Sequence, residues 1–235
     1  MKQAKKKILI IGGSSNVGRE LIKRLNKDNY EIFITFNKNK LRTQDKKKII
    51  QFKLDITSNA QIEKLVKKVK KMKIFFDKII FLQGQLAGKS LSDFDTNNIR
   101  KNLDINFTGQ VILLKKIKKQ INKNCLIIFI SSISAVRGSY DPIYAASKGA
   151  IVSFVKSLST WWAPEIKSIC LLPGVIKDTE IFKKFSNKRK KFQIKQTPNA
   201  ELLNKSDLSK IIIDLLETHW RHTNGSIINI NGGAY

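Results

Sequence analysis

Eleven residues set the architecture of this chain: Ile8-Leu9-Ile10-Ile11-Gly12-Gly13-Ser14-Ser15-Asn16-Val17-Gly18. The apolar tetrad predicts a buried strand, and the glycines predict a tight turn into a helix. Glycines let the backbone approach a pyrophosphate, and a helix N-terminus favours its negative charge. Asn16 stands where a glycine is often found, but asparagine tolerates left-handed backbone angles. The turn therefore predicts cofactor contacts from Gly12, Ser14, Ser15, Asn16, Val17 and Gly18.

Outward from this turn, short β-branched or aromatic runs alternate with longer amphipathic stretches. The predicted strands are Lys7–Ile11, Glu31–Phe36, Ile49–Leu54, Lys78–Leu82, Leu126–Ser131, Ser168–Leu172 and Ser226–Ile230. The predicted helices include Val17–Asn26, Asn59–Lys71, Ile99–Gln120, Pro142–Trp162 and Ser206–Thr218. Strands alternating with helices form βαβ units, so we expect one α/β domain over residues 1–235. Its sheet is predicted to be Rossmann-type, doubly wound, seven-stranded and parallel, with helices on both faces and ligands bound beyond the carboxyl ends of the strands.

The composition narrows the possible partners. Lys and Arg number 45 against 18 Asp and Glu, a formal charge of +27 that attracts polyanions. No nucleic-acid-binding motif accompanies this charge, so no specific nucleic-acid partner is predicted. No apolar stretch approaches the roughly 18 residues needed to span a bilayer. The two cysteines, Cys125 and Cys170, fall in predicted buried strands without metal-ligand spacing, which favours a reducing, cytoplasmic location and no metal site.

A Tyr-x-x-x-Lys pair carries the strongest chemical signal. Tyr144 and Lys148, four residues apart on a predicted helix, share one face. A nearby ammonium favours the phenolate, so Lys148 is expected to lower the pKa of Tyr144 toward the working range. Ser132 directly follows the predicted strand Leu126–Ser131, and strand alternation favours it over the rival serines Ser131 and Ser134. The rival Tyr140 has no lysine four residues after it.

The second predicted strand ends at Thr35-Phe36-Asn37-Lys38. An NAD-preferring site usually carries Asp or Glu here to accept hydrogen bonds from the ribose 2′-hydroxyl. This chain has neither, whereas Asn37 and Lys38, together with Arg19, suit a 2′-phosphate. The interpretation is that NADP(H) is preferred and NAD(H) is possible, with a solvated Lys38 as the alternative.

In family order, these motifs resemble those of the short-chain dehydrogenases/reductases, and the closest likeness is to 3-oxoacyl-acyl-carrier-protein reductases. The ordered signals are the glycine turn, Asp55-Ile56-Thr57, Asn106-Phe107-Thr108-Gly109, Ser132, Tyr144 with Lys148, Pro173-Gly174 and Asn229-Ile230-Asn231-Gly232-Gly233. The resemblance implies a catalytic tetrad of Asn106, Ser132, Tyr144 and Lys148. Ser132 would hold the substrate oxygen, Tyr144 would transfer its proton, Lys148 would also bind the nicotinamide ribose, and Asn106 would kink its helix and anchor a proton-relaying water.

The resemblance also implies further cofactor contacts. Asp55 and Ile56 would meet the adenine (unless Asp55 only forms a turn), and Gly84 would let the backbone approach the cofactor. Pro173, Gly174, Val175 and Ile176 would pass under the nicotinamide, and Thr179 would also contact the cofactor. Three features depart from the family pattern. The loop from Ser132 to Tyr144 is one residue tighter than in many members. Phe81-Leu82-Gln83-Gly84 stands where Asn-Asn-Ala-Gly is common, and the threonine expected after Pro173-Gly174 is displaced to Thr179.

The implied activity is an NADP(H)-dependent oxidoreductase that interconverts a ketone and a secondary alcohol, with a 3-oxoacyl thioester as one candidate substrate. Two alternatives remain: a sugar- or polysaccharide-pathway oxidoreductase, and a non-catalytic cofactor sensor. The complete tetrad speaks against the sensor. The C-terminal tail resembles tails that join subunits, so a homotetramer or homodimer is expected.

Residues 178–200 are expected to form a lid over the substrate, and we call them the lid segment. Lysines alternate there with phenylalanines, which suits a small-molecule or carrier-linked substrate that is anionic at one end. Lys183, Lys184, Lys188 and Arg189 are predicted to attract that charge, and an ordinary lysine-rich exposed helix is the alternative. His219 and His222 have no carboxylate or cysteine nearby and do not predict a metal pair.

Overall fold

A computed structural model describes residues 4–25, 27–42, 49–217 and 222–234. Three residues named above, Asn26, Thr218 and His219, lie outside this part. The strands are β1 (Lys6–Ile11), β2 (Tyr30–Phe36), β3 (Ile49–Lys53), β4 (Phe76–Phe81), β5 (Ile121–Ile130), β6 (Ile166–Pro173), β7 (Ile176–Lys177), β8 (Leu203–Asn204) and β9 (Ile227–Ile230). The helices are α1 (Asn16–Arg24), α2 (Asn59–Lys71), α3 (Thr96–Leu103), α4 (Gly109–Ile117), α5 (Ser134–Arg137), α6 (Pro142–Trp161), α7 (Glu180–Lys183), α8 (Asn187–Lys195) and α9 (Lys205–Glu217).

Seven strands form one parallel sheet in the order β3-β2-β1-β4-β5-β6-β9, which confirms the predicted doubly wound fold. Both faces are covered because successive strand residues point to opposite sides. In β1, Ile8 and Ile10 pack in a core with residues of α1 and α9. Leu9 and Ile11 pack in the other core, with residues of α2, α4 and α6. Cys125 and Cys170 are buried in the sheet, as predicted.

Three elements differ from the sequence prediction. The predicted helix Ile99–Gln120 is interrupted by a π turn (Asp104–Thr108) between α3 and α4, and ends in a 3₁₀ turn (Lys118–Gln120). Strand β5 begins at Ile121 rather than Leu126, because Ile121 pairs with Phe76 of β4. A small second sheet of β7 and β8 was not predicted. Within the described ranges, no helix combines the length and apolarity needed to cross a membrane.

Candidate active site

A cavity of about 910 Å³ opens beyond the carboxyl ends of the central strands, where the fold predicts a ligand. It brings together many of the predicted site residues: Ser15, Asn16, Val17, Gly84, Ser132, Tyr144, Lys148, Pro173, Gly174, Val175, Ile176 and Thr179. The other predicted residues lie outside this lining: Gly12, Ser14, Gly18, Asn37, Lys38, Asp55, Ile56 and Asn106. Residues predicted to contact the nicotinamide and the phosphates thus line one cavity, whereas the residues predicted to contact the adenine lie outside its lining.

Helix α6 presents Tyr144 to the cavity from its first turn. Asp141 caps this turn, because its Oδ1 accepts a hydrogen bond from the Tyr144 N–H at 2.9 Å. The other carboxylate oxygen, Oδ2, accepts one from the Gly88 N–H at 2.8 Å. Asp141 is fully buried, so these two bonds tie the start of α6 to the loop after β4.

The Tyr144 hydroxyl is positioned as a proton donor. Burial raises the pKa of the phenol, and the negative charge of Asp141 adds to the rise. A side-chain hydrogen bond with Ser132 lowers this pKa but does not offset burial. The expectation that the lysine would bring the pKa of Tyr144 below its ordinary value is therefore not met in this structure. At neutral pH the phenol keeps its proton and can donate it to a carbonyl oxygen.

Lys148 is held by backbone oxygens rather than by an acid. Its Nζ donates hydrogen bonds to the carbonyl oxygens of Gln83, at 3.1 Å, and Ile130, at 2.9 Å. The side chain is 1% exposed, and burial lowers the pKa of the ammonium to about 8. Nζ lies 5.9 Å from the centroid of the Tyr144 ring. At this distance a cation stabilises the phenolate that proton donation leaves behind.

The rival serines have other partners. Ser131 donates its hydroxyl to the Lys148 carbonyl oxygen at 2.7 Å, which fixes α6 against β5. Ser134 begins α5, and its N–H donates to the Ser132 hydroxyl oxygen at 3.1 Å. Tyr140 is 49% exposed. Among these candidates, Ser132 is the serine whose hydrogen bonding lowers the pKa of Tyr144.

Asn106 lies in the π turn and is fully buried. Its Oδ1 accepts from the Gln85 N–H at 2.8 Å, and its Nδ2 donates to the Gln85 carbonyl oxygen at 3.0 Å. The resemblance implied a break in the helix at this residue, and the helix is interrupted there. The observed contacts join that interruption to the loop after β4.

The glycine turn has the shape expected of a phosphate site. Ser15 caps α1 by accepting the Gly18 N–H at 3.1 Å, and the first N–H groups of a helix have no intrahelical partner. A Cβ on Gly18 would lie 2.4 Å from the Gly13 carbonyl oxygen, so the turn and the helix approach too closely for any side chain. The donor set and the backbone geometry therefore fit the pyrophosphate of a dinucleotide.

A residue absent from the predicted site also faces the cavity. Gln83 lines it, and its Oε1 is buried without a hydrogen-bond partner among the described residues. Such an acceptor is costly unless a ligand supplies a donor. The sequence did offer a signal for Gln83, because Phe81-Leu82-Gln83-Gly84 departs from the Asn-Asn-Ala-Gly that is common in the family. The residues present thus fit a bound NAD(P) at both its phosphate and its nicotinamide end.

Asn16 connects the glycine turn to the lid segment. Its Nδ2 donates to the Asp178 carbonyl oxygen at 2.9 Å. Asp178 has a positive φ of 66°, an uncommon conformation for a residue with a side chain. The bond therefore joins the start of α1 to the backbone just before α7.

At the adenine end, Asp55 forms a turn. Its Oδ1 accepts from the Thr57 N–H at 3.0 Å and the Thr57 hydroxyl at 2.8 Å. Asn37 and Lys38 are exposed after β2, and Arg19 donates from Nε to the Ser14 carbonyl oxygen at 3.0 Å. The carboxyl end of β2 thus carries basic and amide groups and no carboxylate.

The basic residues of the lid segment separate into two groups. Lys183, Lys184 and Lys188 are exposed and do not line the cavity. Arg189 lines it together with Arg137, a residue that the sequence did not single out. All four residues were expected to attract an anion, but only Arg189 lies in the lining of the cavity.

Comparisons with known proteins agree with this geometry. The family model described as short chain dehydrogenase matches residues 6–190. The 3-oxoacyl-acyl-carrier-protein reductase FabG of Buchnera aphidicola is 24% identical over 100% of this chain and 99% of its own length.

Two solved structures share the fold. A short chain dehydrogenase family protein from Francisella tularensis superposes with a TM-score of 0.89 at 24% identity, covering 98% of this chain and 99% of its own. A short chain dehydrogenase from Burkholderia cenocepacia in complex with NADP has a TM-score of 0.88 at 22% identity, covering 100% and 99%. Together with the site, the family match shows that this chain belongs to the short-chain dehydrogenases/reductases, oxidoreductases that bind NAD(P) and act on small-molecule carbonyl substrates.

Proposed function

We propose that this enzyme is an NADP(H)-dependent reductase that converts a ketone to a secondary alcohol, with Tyr144 as the proton donor. The observation that carries the proposal is the convergence of Ser132, Tyr144 and Lys148 in a cavity that also contains the phosphate-binding turn. The raised pKa of Tyr144 favours the reducing direction, because the phenol holds its proton at neutral pH.

Each residue has a separate task. Ser132 and Tyr144 donate hydrogen bonds to the substrate carbonyl oxygen and fix its orientation. Tyr144 then transfers its hydroxyl proton to that oxygen, while the Lys148 ammonium stabilises the resulting phenolate. Asn106 acts more remotely, since it holds the loop whose Gln83 carbonyl oxygen positions Lys148. The nicotinamide cofactor supplies the hydride when bound.

The preference for NADP(H) rests on the end of β2. Asn37 and Lys38 occupy the position where an acidic residue would accept from an NAD ribose, and Arg19 lies near Ser14 of the glycine turn. A 2′-phosphate would receive charge-assisted hydrogen bonds from such groups. The NADP bound by the Burkholderia protein supports this choice.

The substrate class we favour is a 3-oxoacyl thioester. The support is the Buchnera reductase, which matches this chain over its full length. Its name specifies a carrier-linked 3-oxoacyl group.

The test is a cofactor-depletion assay with NADPH or NADH across a ketone panel that contains 3-oxoacyl thioesters and nucleotide-linked keto sugars. We expect consumption with 3-oxoacyl thioesters and about 10-fold higher kcat/KM with NADPH, the effect of one or two hydrogen bonds to a charged group. Lys38→Gln should remove most of this preference, whereas Lys40→Gln, an exposed neighbour, should retain it. Equal use of both cofactors would refute the NADP(H) assignment, and exclusive turnover of keto sugars would refute the thioester assignment.

A further inference from the structure

Two arginines line the cavity that contains Ser132 and Tyr144. Arg137 ends α5, the short helix that follows Ser132. Arg189 belongs to α8 of the lid segment. Both line the same cavity as Ser132 and Tyr144, although they belong to helices that are far apart in the sequence. Ser132 and Tyr144 therefore share their cavity with two arginine residues, of which Arg137 is exposed and Arg189 is half-buried.

Aromatic rings hold Arg189 in place. Its guanidinium carbon lies 4.4 Å from the centroid of the Tyr140 ring and 4.1 Å from that of Phe185. Tyr140 is itself placed close to the loop after β4, since a Cβ on Gly88 would lie 2.9 Å from its hydroxyl oxygen. Ring faces attract a cation but accept few of its hydrogen bonds. The guanidinium is thus positioned while most of its N–H groups remain available.

These arginines have no acidic partner within the described ranges. Glu180 is the one carboxylate among the described residues of the lining, and it already pairs with Lys183 at 2.8 Å. Aromatic side chains of the lid segment, Phe182, Phe185 and Phe192, line the same region. The cavity therefore offers unpaired cationic donors beside an apolar surface.

We propose that Arg137 and Arg189 bind an anionic oxygen group, phosphate or carboxylate, carried by the substrate away from its reacting carbonyl. The part of the substrate between the two ends lies against the phenylalanines of the lid segment. A guanidinium matches such groups because it donates two parallel hydrogen bonds to them. This inference rests on the proposed function, since it specifies the substrate of the same site.

The exposed lysines of the lid segment provide the contrast. Lys188 precedes Arg189 on α8, but it is exposed and lies outside the cavity lining. A charge so placed contributes only a screened, long-range attraction. Lys188→Gln and Arg189→Gln therefore remove the same charge from adjacent residues and differ only in access to the cavity.

The experiment compares matched substrates that differ in their anion. A 3-oxoacyl coenzyme A carries phosphates, and the same acyl group on N-acetylcysteamine carries none. An oxo carboxylic acid and its methyl ester form the second pair. For each pair, the ratio of kcat/KM values is measured in wild type, Arg137→Gln, Arg189→Gln and Lys188→Gln. Calorimetric titration of the same compounds into each protein with NADP⁺ added gives a binding readout independent of turnover.

We expect wild type to prefer one anionic partner by about 10- to 100-fold, the range for hydrogen bonds to a charged group. The coenzyme A pair identifies phosphate as the recognised group, and the oxo acid pair identifies carboxylate. Arg137→Gln and Arg189→Gln should each reduce the preference by about 10-fold, and Lys188→Gln should change it less than about twofold. Arg189→Lys keeps the charge but loses the planar guanidinium, so its preference for the anionic substrate should lie between those of wild type and Arg189→Gln.

The inference would be overturned if wild type had equal kcat/KM values for the anionic and the neutral member of both substrate pairs. So would arginine variants that slow anionic and neutral substrates alike, because that pattern indicates a general effect on the lid segment. Absence of ketone reduction, with binding of the anionic compound still lost in Arg189→Gln, would refute the proposed function and leave the anion site standing.

Discussion

The two walls of the cavity are held in different ways. On the wall at the strand ends, Lys148 is buried and bonded to two carbonyl oxygens, and Asp141 is buried and bonded to two N–H groups. On the opposite wall, α7 and α8 are described throughout, and none of their residues is fully buried. Their contacts are instead ring and cation pairs such as Arg189 with Phe185.

This difference suggests a division of labour. Groups that transfer protons need a fixed geometry, which buried hydrogen bonds provide. A segment with few buried contacts opens at a lower free-energy cost, which suits a wall that admits and releases ligands. Chemistry is thus expected to depend on the strand-end wall, and substrate choice on the lid segment.

The largest effect should follow from the Tyr144 hydroxyl. Tyr144→Phe keeps the ring but removes the proton donor, so kcat for ketone reduction should fall by about 10²- to 10⁴-fold. Tyr140→Phe is the matched control, because its ring remains against Arg189 and no lysine stands four residues after it. Steady-state kinetics with NADPH measure both. A kcat for Tyr144→Phe within about tenfold of wild type would show that the strand-end wall does not carry the proton transfer.

The pH profile should sharpen the same comparison. Burial lowers the pKa of Lys148 to about 8, so the ammonium that stabilises the phenolate is present below this pH and lost above it. We expect kcat for reduction to be level at neutral pH and to fall about tenfold per pH unit above about 8. Alcohol oxidation needs the Tyr144 phenolate. Because the pKa of this group is raised, the rate of oxidation should increase only at alkaline pH. A level reduction profile through this range would contradict the role of Lys148.

A smaller effect is expected at Gln83, on the strand-end wall. Gln83→Met keeps the length of the side chain and removes the unpaired buried Oε1. The dissociation constant for NADPH should rise by about 3- to 10-fold, the effect of one hydrogen bond, while the thermal midpoint rises because an unsatisfied buried group is gone. Fluorescence titration and thermal unfolding measure the two changes. Gln85→Met, whose side chain is exposed, is the control.

If the Gln83 substitution leaves NADPH binding unchanged, its amide does not serve the cofactor. A lower thermal midpoint would show instead that the amide already has a partner in the folded protein.

Much of the fold was predictable because its signals are local. Ile8–Ile11 is apolar throughout and meets glycines at once, and the same pattern recurs along the sheet. The apolar periodicity did not predict the π turn, and only the family resemblance implied a kink at Asn106, since the turn is accompanied by bonds between Asn106 and the backbone of Gln85, far away in sequence. The early start of β5 has a similar cause, because Ile121 joins the sheet by pairing with Phe76.

The site followed from sequence only in part. Tyr144 and Lys148 are recognisable by their helical spacing, whereas the partners of Lys148 are carbonyl oxygens that any residue carries. Arg189 was predicted only as one of four basic lid residues, and Arg137 was not singled out among 45 basic residues, because such residues look alike until the fold places two of them along the cavity. The pKa of Tyr144 depends on burial, which spacing does not reveal.

The smallest effect should come from the contacts that join the two regions at the phosphate end. Asn16→Ala removes the side-chain hydrogen bonds with the Asp178 carbonyl oxygen and with Glu180, without adding the backbone freedom of glycine, so the lid segment loses two exposed contacts with the turn. We expect NADPH to dissociate about two- to fivefold faster, with kcat/KM for the ketone changed less. Stopped-flow displacement of NADPH measures this rate, with Lys23→Ala, an exposed α1 variant, as control. An unchanged rate would mean that the lid segment moves independently of the phosphate turn, and that cofactor release is governed by the strand-end wall alone.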